Sequence, residues 1–233
     1  MVKLWIILLS MLCLFSATAC DLLIKAANVY TETSIDADGN EITVEYMYDP
    51  KDNDRITRKT VYDKDGNVEV NYNYNKDGEW SEEYYDGNPN RTRCITHRTS
   101  GEIIEEEFIQ SGTCIKSTTY SPSGVIERID EYYDDGTQRS LLDYTVPGIS
   151  RRYIQYNEQG QQISDETVQM DGERVSTTTT YFEDEQIISV ETLVREQGGA
   201  FVSHQIEYWT SGRATKTVVY DENGTVIEEW MEK

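Results

Sequence analysis

The chain has 233 residues, 43 acidic and 21 basic, for a formal net charge of −22 at pH 7. That balance opposes nucleic-acid backbones and anionic lipid surfaces, so neither is an expected partner. The length fits one domain or one repeat array.

The first element in chain order is an export signal over residues 1–19. Lys3 opens it, Leu4 to Phe15 is almost wholly apolar, and Ala17-Thr18-Ala19 supplies the small residues of a cleavage site. The apolar run is too short to span a bilayer comfortably. Cys20 follows at once, and this junction resembles the bacterial lipoprotein signal, whose cysteine is acylated and becomes the mature N-terminus. Ala17 stands where such signals usually carry leucine. A lipid-anchored envelope protein and a freely secreted one share the same mature start, and the only membrane contact expected is through that lipid. Residues 20–33 carry no turn signal and read as a tether or a short helix.

From residue 34 to 233 the chain beats. Glycines fall twelve residues apart at Gly112, Gly124, Gly136, Gly148, Gly160 and Gly172, and the interval returns at Gly66 and Gly78 and at Gly212 and Gly224. Most are preceded, four residues earlier, by an aromatic such as Tyr62, Tyr74, Tyr120 or Tyr220. In Tyr62-Asp63-Lys64-Asp65-Gly66-Asn67-Val68, Asp63 suits the first position of a type I turn and Gly66 the left-handed position that re-enters a strand through a bulge. Val68, Val70, Tyr72 and Tyr74 then alternate with polar residues at strand period. Earlier, Ile42, Val44, Tyr46 and Tyr48 alternate in the same way. Asp49 to Asp54 reads as a longer polar loop, and Gly87-Asn88-Pro89-Asn90 as a second irregular one. Glu183-Asp184-Glu185 marks a turn without glycine, and Gln197-Gly198-Gly199 another hairpin. The fold class is all-β, a long antiparallel meander of about 14–17 strands in a largely single-layer, twisted sheet.

An even repeat is expected to keep equivalent positions on one face. Tyr62 should then lie opposite Val68, Tyr74 opposite Trp80, Tyr120 opposite Ile126 and Tyr220 opposite Val226. Successive turns should fall at opposite margins, so that aromatics form a row along each. Strand centres are polar, with Lys116, Thr118, Arg128, Asp130, Ser164 and Glu166 assigned to one face. Both faces are therefore expected to be wet.

No local pattern carries chemistry. Once Cys13 leaves with the signal and Cys20 takes lipid, Cys94 and Cys114 remain as an even pair in an oxidising compartment. An intervening strand would hold them about 10 Å apart, against the roughly 4 Å between Cβ atoms that a disulfide needs. The bridge is thus open in either direction. Ser34, Asp36, Asp38, Gly39 and Glu45 have calcium-loop spacing, yet strand alternation follows and no helices flank them. His97 fills the repeat position that tyrosine fills elsewhere, and His204 has no motif beside it. No cofactor or metal is expected, and the chain reads as a non-enzyme. The tyrosines suit a surface for stacking a carbohydrate or peptide, although cross-strand packing alone explains their spacing.

The recurring Tyr-Asp-x-x-Gly-Asn-Val and Tyr-Tyr-Asp-Asp-Gly units resemble the MORN-variant repeats of bacterial antitoxin-like proteins. They are also similar to the tyrosine–aspartate hairpin repeats of large secreted shell proteins. That resemblance, over roughly residues 35–232, implies hairpin arrays used for protein contact, without catalytic residues. The expectation is a cell-envelope or secreted repeat protein offering a sheet surface to a protein partner. The alternative is an immunity-type protein neutralising a basic toxin.

Overall fold

The structure, a computed structural model, describes residues 28–231 apart from Asp36 and Asp38. The expected export signal and Cys20 lie outside the described residues. All regular structure among the described residues is extended strand, and hairpin follows hairpin as the glycine spacing requires. The chain divides after Gly101 into two units. The first holds β1 (Val29–Ile35), β2 (Glu41–Asp49), β3 (Asp52–Tyr62), β4 (Val68–Tyr74), β5 (Trp80–Tyr84) and β6 (Arg93–His97). The second holds β7 (Ile103–Gln110), β8 (Thr113–Tyr120), β9 (Ile126–Tyr132), β10 (Gln138–Asp143), β11 (Arg151–Tyr156), β12 (Gln162–Asp171), β13 (Arg174–Glu183), β14 (Gln186–Glu196), β15 (Phe201–Thr210), β16 (Arg213–Tyr220) and β17 (Val226–Met231). Within each unit, strands in substantial contact are neighbours along the chain, so each unit is a meander one layer deep.

β1 begins inside the segment expected to be a tether. Val29, Thr31, Thr33 and Ile35 are β-branched and alternate with Tyr30, Glu32 and Ser34, which suits a pleated surface. The strand pairs with β2 in unbroken register, from Val29 opposite Met47 to Ile35 opposite Glu41. A first strand needs no turn before it, so the turn-based reading had no mark for its start. The loop expected over Asp49 to Asp54 also differs. Asp49 lies opposite Asp52, so Pro50 and Lys51 alone make the turn. The Asp49 carboxylate accepts from the Lys51 amide at 2.8 Å and pairs with the Arg55 guanidinium, which anchors the short turn.

Two turn families share the even beat. In the first, the Gly66 amide donates to the Asp63 carbonyl at 3.0 Å, and Asp63 Oδ1 accepts from the amides of Asp65 at 2.9 Å and Asn67 at 2.8 Å. Asp221 does the same for Asn223 and Thr225, and Asn157 for Gln159 and Gln161. In the second family, both central residues are left-handed, as a tight mirror-image turn requires. Ser111 and Gly112 have φ of 52° and 87°, Ser211 and Gly212 have 51° and 77°, and the glycine-free pair Asp184 and Glu185 have 48° and 62°. A register shift beside the turn, at Phe108/Ile109 and at Tyr208/Trp209, absorbs the difference between the families.

All four expected aromatic pairs form: Tyr62 with Val68, Tyr74 with Trp80, Tyr120 with Ile126 and Tyr220 with Val226. Turns two strands apart share a margin. The Tyr133 hydroxyl donates to the Tyr156 carbonyl at 2.9 Å, and Thr137 Cγ2 lies 3.4 Å from where a Cβ on Gly160 would stand. The face assignment fails, however. Lys116 lies opposite Glu131 and Thr118 opposite Ile129, whereas Arg128 and Asp130 lie opposite Thr119 and Ser117. The bulge between Thr119 and Tyr120 moves the strand by one residue, which exchanges its faces.

Glu185 stands in a conformation that costs a side-chain-bearing residue about 1–2 kcal/mol and glycine little. Glu185→Gly is expected to stabilise the chain by about 1 kcal/mol, and Gly66→Ala to destabilise it by about as much, since nothing lies within 4 Å of the added methyl and only the backbone objects. Urea midpoints of the two variants against the parent check both signs.

Candidate functional site: the aromatic face of the first unit

Register sorts the side chains of β2 to β6 into two unlike faces. One carries three cross-strand rows. The first runs Val44, Val61, Val70, Tyr84, and the second Tyr30, Tyr46, Lys59, Tyr72, Glu82, Ile95. The third is Tyr74, Trp80, His97. The opposite face carries Glu45, Thr60, Asn71, Glu83 and Cys94 in one row, and Met47, Arg58, Asn73, Ser81 and Thr96 in the next. The expectation of two wet faces is therefore corrected for this unit. It failed because three successive strands each place a valine at the same row, a coincidence visible only once the register is known.

Val44, Val61 and Val70 are the buried centre, with Ile42, Tyr46, Tyr72 and Tyr84 packed around them. At the rim, Tyr30 is 42% exposed and Tyr74 36%. Trp80 is flanked on both sides, with His97 stacked at 3.9 Å and 5° and Tyr74 stacked at 6.3 Å. Because these rings face one another along the row, their edges rather than their faces project from the sheet. Lys59 Nζ lies 5.2 Å from the Tyr72 ring centre, and the Arg93 guanidinium 5.6 Å from that of Tyr84.

Glu82 is the electrostatic hub of this face. It stands opposite Tyr72 on β4 and Ile95 on β6, and its carboxylate accepts from the Tyr84 hydroxyl. Burial, and then the hydrogen bond and charge of Glu82, push Tyr84 up to about 12. Burial followed by the Glu82 charge also raises Tyr72 and Tyr74, while burial and the Glu32 carboxylate raise Tyr46. His97, expected to be a ladder residue, is buried at the end of the row. Its Nδ1 lies 3.1 Å from the Gly101 carbonyl, which can only accept, so that nitrogen carries the proton. Its Nε2 is buried without a hydrogen-bond partner, 3.8 Å from Glu82.

The other residues singled out by sequence lie elsewhere. Cys94 is buried on the polar face of β6 in the first unit, and Cys114 stands on β8 in the second, its thiol donating to the Lys116 carbonyl at 3.4 Å. Asp36 and Asp38 of the calcium-like spacing lie outside the described residues. Among the described residues no three histidine, cysteine or acidic side chains gather to hold a metal. His204 does have neighbours: Nε2 meets Glu191 at 2.7 Å and the ring stacks on Tyr220 at 4.9 Å. These come from β14 and β16, too distant in sequence for a motif to signal.

No family model matches the chain, and no curated protein matches it. Solved structures similar to it include S. aureus TarM bound to Fondaparinux, alpha-GlcNAc-glycerol and UDP, at 8% identity and a TM-score of 0.34 over 55% of this chain and 22% of that one. A protein of unknown function from Bacteroides fragilis matches at 10% identity and a TM-score of 0.21, over 55% of this chain and 91% of the other. A porin-like protein from Bacteroides uniformis matches at 12% identity and a TM-score of 0.24, over 82% and 93%. The chain spans about a fifth of the length of the TarM chains it resembles. Likeness at these scores carries nothing toward function.

A tyrosine whose folded pKa is raised contributes stability that is complete below its unfolded value of about 10 and is lost as pH climbs through the folded value. Stability is therefore expected to hold to about pH 10 and to fall toward 12, with Tyr84 ionising last. Ultraviolet titration of tyrosinate, run beside urea unfolding, checks this. Glu82→Gln removes the shared charge and should move the titration of Tyr72, Tyr74 and Tyr84 down together.

Proposed function

We propose that the chain is an exported, non-enzymatic repeat protein of the cell envelope, anchored by lipid at Cys20, which presents the aromatic face of its first unit to a protein partner. The observation that carries this reading is the chemical contrast between the two sides of β2 to β6. One side groups valine, tyrosine and tryptophan over several strands, with Lys59 and Glu82 among them, and the other is mostly threonine, asparagine, serine and glutamate, with Met47, Arg58 and Cys94. Neighbouring strands need no such segregation to pair. Contiguous apolar and aromatic surface rimmed by polar groups is what protein-binding sites use. The edge-on rings of Tyr74, Trp80 and His97 favour a protein partner over a sugar, which would stack on ring faces.

A second reading is supported by the excess of acid and by the likeness to antitoxin-type repeats. In it the partner is a basic toxin that the chain neutralises. The two readings share the binding surface and differ in the partner's charge.

A photo-crosslinking residue placed at Tyr72 is expected to capture a partner in the native host, and the same residue at Asn71, on the opposite face, to capture none. Equal capture from both positions, or none from either, removes the aromatic face from consideration. A strongly basic captured protein selects the toxin reading. Mass spectrometry of the mature N-terminus is expected to find Cys20 acylated, and an unmodified Cys20 would make the chain freely secreted.

A further inference from the structure

The second unit holds a hollow at one margin. The bend at Asp184 and Glu185 joins β13 to β14, and the bend at Ser211 and Gly212 joins β15 to β16, two strands away on the same side. Between them opens a cavity of about 550 Å³, lined by Glu185, Gln186, Ile187, Trp209, Ser211 and Gly212. That volume falls within the roughly 300–1,000 Å³ of small-molecule sites. The bulge beside each bend sets the register of the apolar wall, with Ile187 opposite Phe182 and Trp209 opposite Ala214. The polar groups of the lining are uncommitted. The Trp209 indole nitrogen is buried without a hydrogen-bond partner. Among the described residues the side chains of Glu185, Gln186 and Ser211 have none either. Acids at other bends are occupied, as Asp63 and Asp221 are by their own amides. Glu185 is also the odd member of its turn family. Ser111–Gly112 and Ser211–Gly212 place glycine at the second left-handed position, where Glu185 stands at a φ of 62°. A side chain kept in a conformation that glycine adopts freely points to a use for that side chain.

We infer that this cavity binds a neutral sugar. Ile187 and the Trp209 indole give the carbon-bound hydrogens of a sugar ring an apolar wall. A sugar hydroxyl both donates and accepts, so hydroxyls answer every polar group of the lining. They accept from the indole N–H and the Gln186 amide, donate to the Glu185 carboxylate, and do either with Ser211. A buried N–H without a partner costs stability, and an acceptor placed beside it recovers that cost. The indole needs only to turn its edge toward the adjoining hollow to meet one. Ligands of either charge fit less well. A cation satisfies Glu185 but offers the indole no acceptor. An anionic sugar meets both the Glu185 carboxylate and the net charge of −22. This site is separate from the aromatic face and lies in the other unit, so each stands or falls alone.

The test follows the indole N–H signals of the mature chain by NMR during titration with methyl β-glucoside, methyl β-galactoside and methyl N-acetyl-β-glucosaminide. The Trp209 signal, assigned by its loss in Trp209→Phe, is expected to shift saturably with at least one of them while that of Trp80 stays in place. Glu185→Gly is the decisive variant. It is expected to raise the urea midpoint, because strain is relieved, and to weaken binding at least about ten-fold, because the carboxylate is gone. Unfolding cannot explain a loss of binding in a more stable chain. Should Glu185→Gly prove less stable, Glu185→Gln, which removes only the charge, decides by the same loss of affinity. Trp209→Phe keeps a ring and drops the donor, and should weaken binding about three- to ten-fold as read by saturation transfer to the sugar. Three results overturn the inference: no saturable shift with any of the glycosides, unchanged affinity in the Glu185 variants, or a Trp209 shift produced instead by Nα-acetyl-lysine amide, which would make this a cation site.

Discussion

A sheet one layer deep has nothing above it to pack against, and this constraint shapes the rest of the molecule. Among the described residues no large side chain is fully enclosed, and the buried set is as polar as it is apolar. Ser117, Thr118, Ser140, Ser164 and Thr217 are buried, where a layered domain would place leucine or phenylalanine. Small side chains are covered here by the stems of longer neighbours on adjacent strands, as lysine, arginine, glutamate and tyrosine lie along the surface. Specificity then shifts from the core to the backbone ladder and its turns. A left-handed residue at most bends and the carboxylates of Asp63 and Asp221 over their own amides set the register that a core would otherwise select.

The two units meet that constraint with different chemistry. The first lays valine and aromatic rows across its strands. The second uses alternating charge: Arg128, Asp143 and Arg152 follow one another across β9, β10 and β11, with Asp130 and Asp165 beside them. Arg128 grips Asp130 at 2.6 and 2.7 Å, and Arg152 reaches Asp165 at 2.6 Å. Burial alone would raise Asp143, but hydrogen bonds from Thr145 and the two guanidinium charges hold it below its ordinary value. Pairs this exposed are individually weak, and their value lies in being mutually satisfied across several strands. A surface whose charges already answer one another leaves few of them unpaired.

What was legible in the sequence was whatever chemistry is local. The bend at Asp63 to Gly66 is complete within a few residues, and so is the aromatic pair that flanks it. Even the glycine-free bend at Asp184 and Glu185 could be placed by counting. Facing was not legible, because it depends on whether a bend carries a bulge. Tyr74 to Trp80 crosses without one and keeps its face, whereas Tyr120 to Ile126 crosses with one and exchanges it. A single residue of shift decides which side chains meet, and glycine at a fixed interval accompanies both outcomes. The aromatic face and the His204–Glu191 contact were hidden for the same reason, being products of register between separated strands.

The aromatic face of the first unit also carries cations. Lys59 and Arg93 lie over the Tyr72 and Tyr84 rings, so that positive charge stands within the aromatic rows. Each such contact is worth only about 0.5–1 kcal/mol at an exposed site, and both side chains have long, mobile stems. A docking partner can therefore turn them aside at little cost if it offers them acceptors in exchange. A partner that offers none leaves the two cations in place and the rings covered. The net charge of −22 adds long-range repulsion between copies of the chain, which further favours an unlike partner over self-association. On the reading proposed above, selectivity on this face comes less from Val44, Val61 and Val70, which are already buried, than from two cations held over the rings.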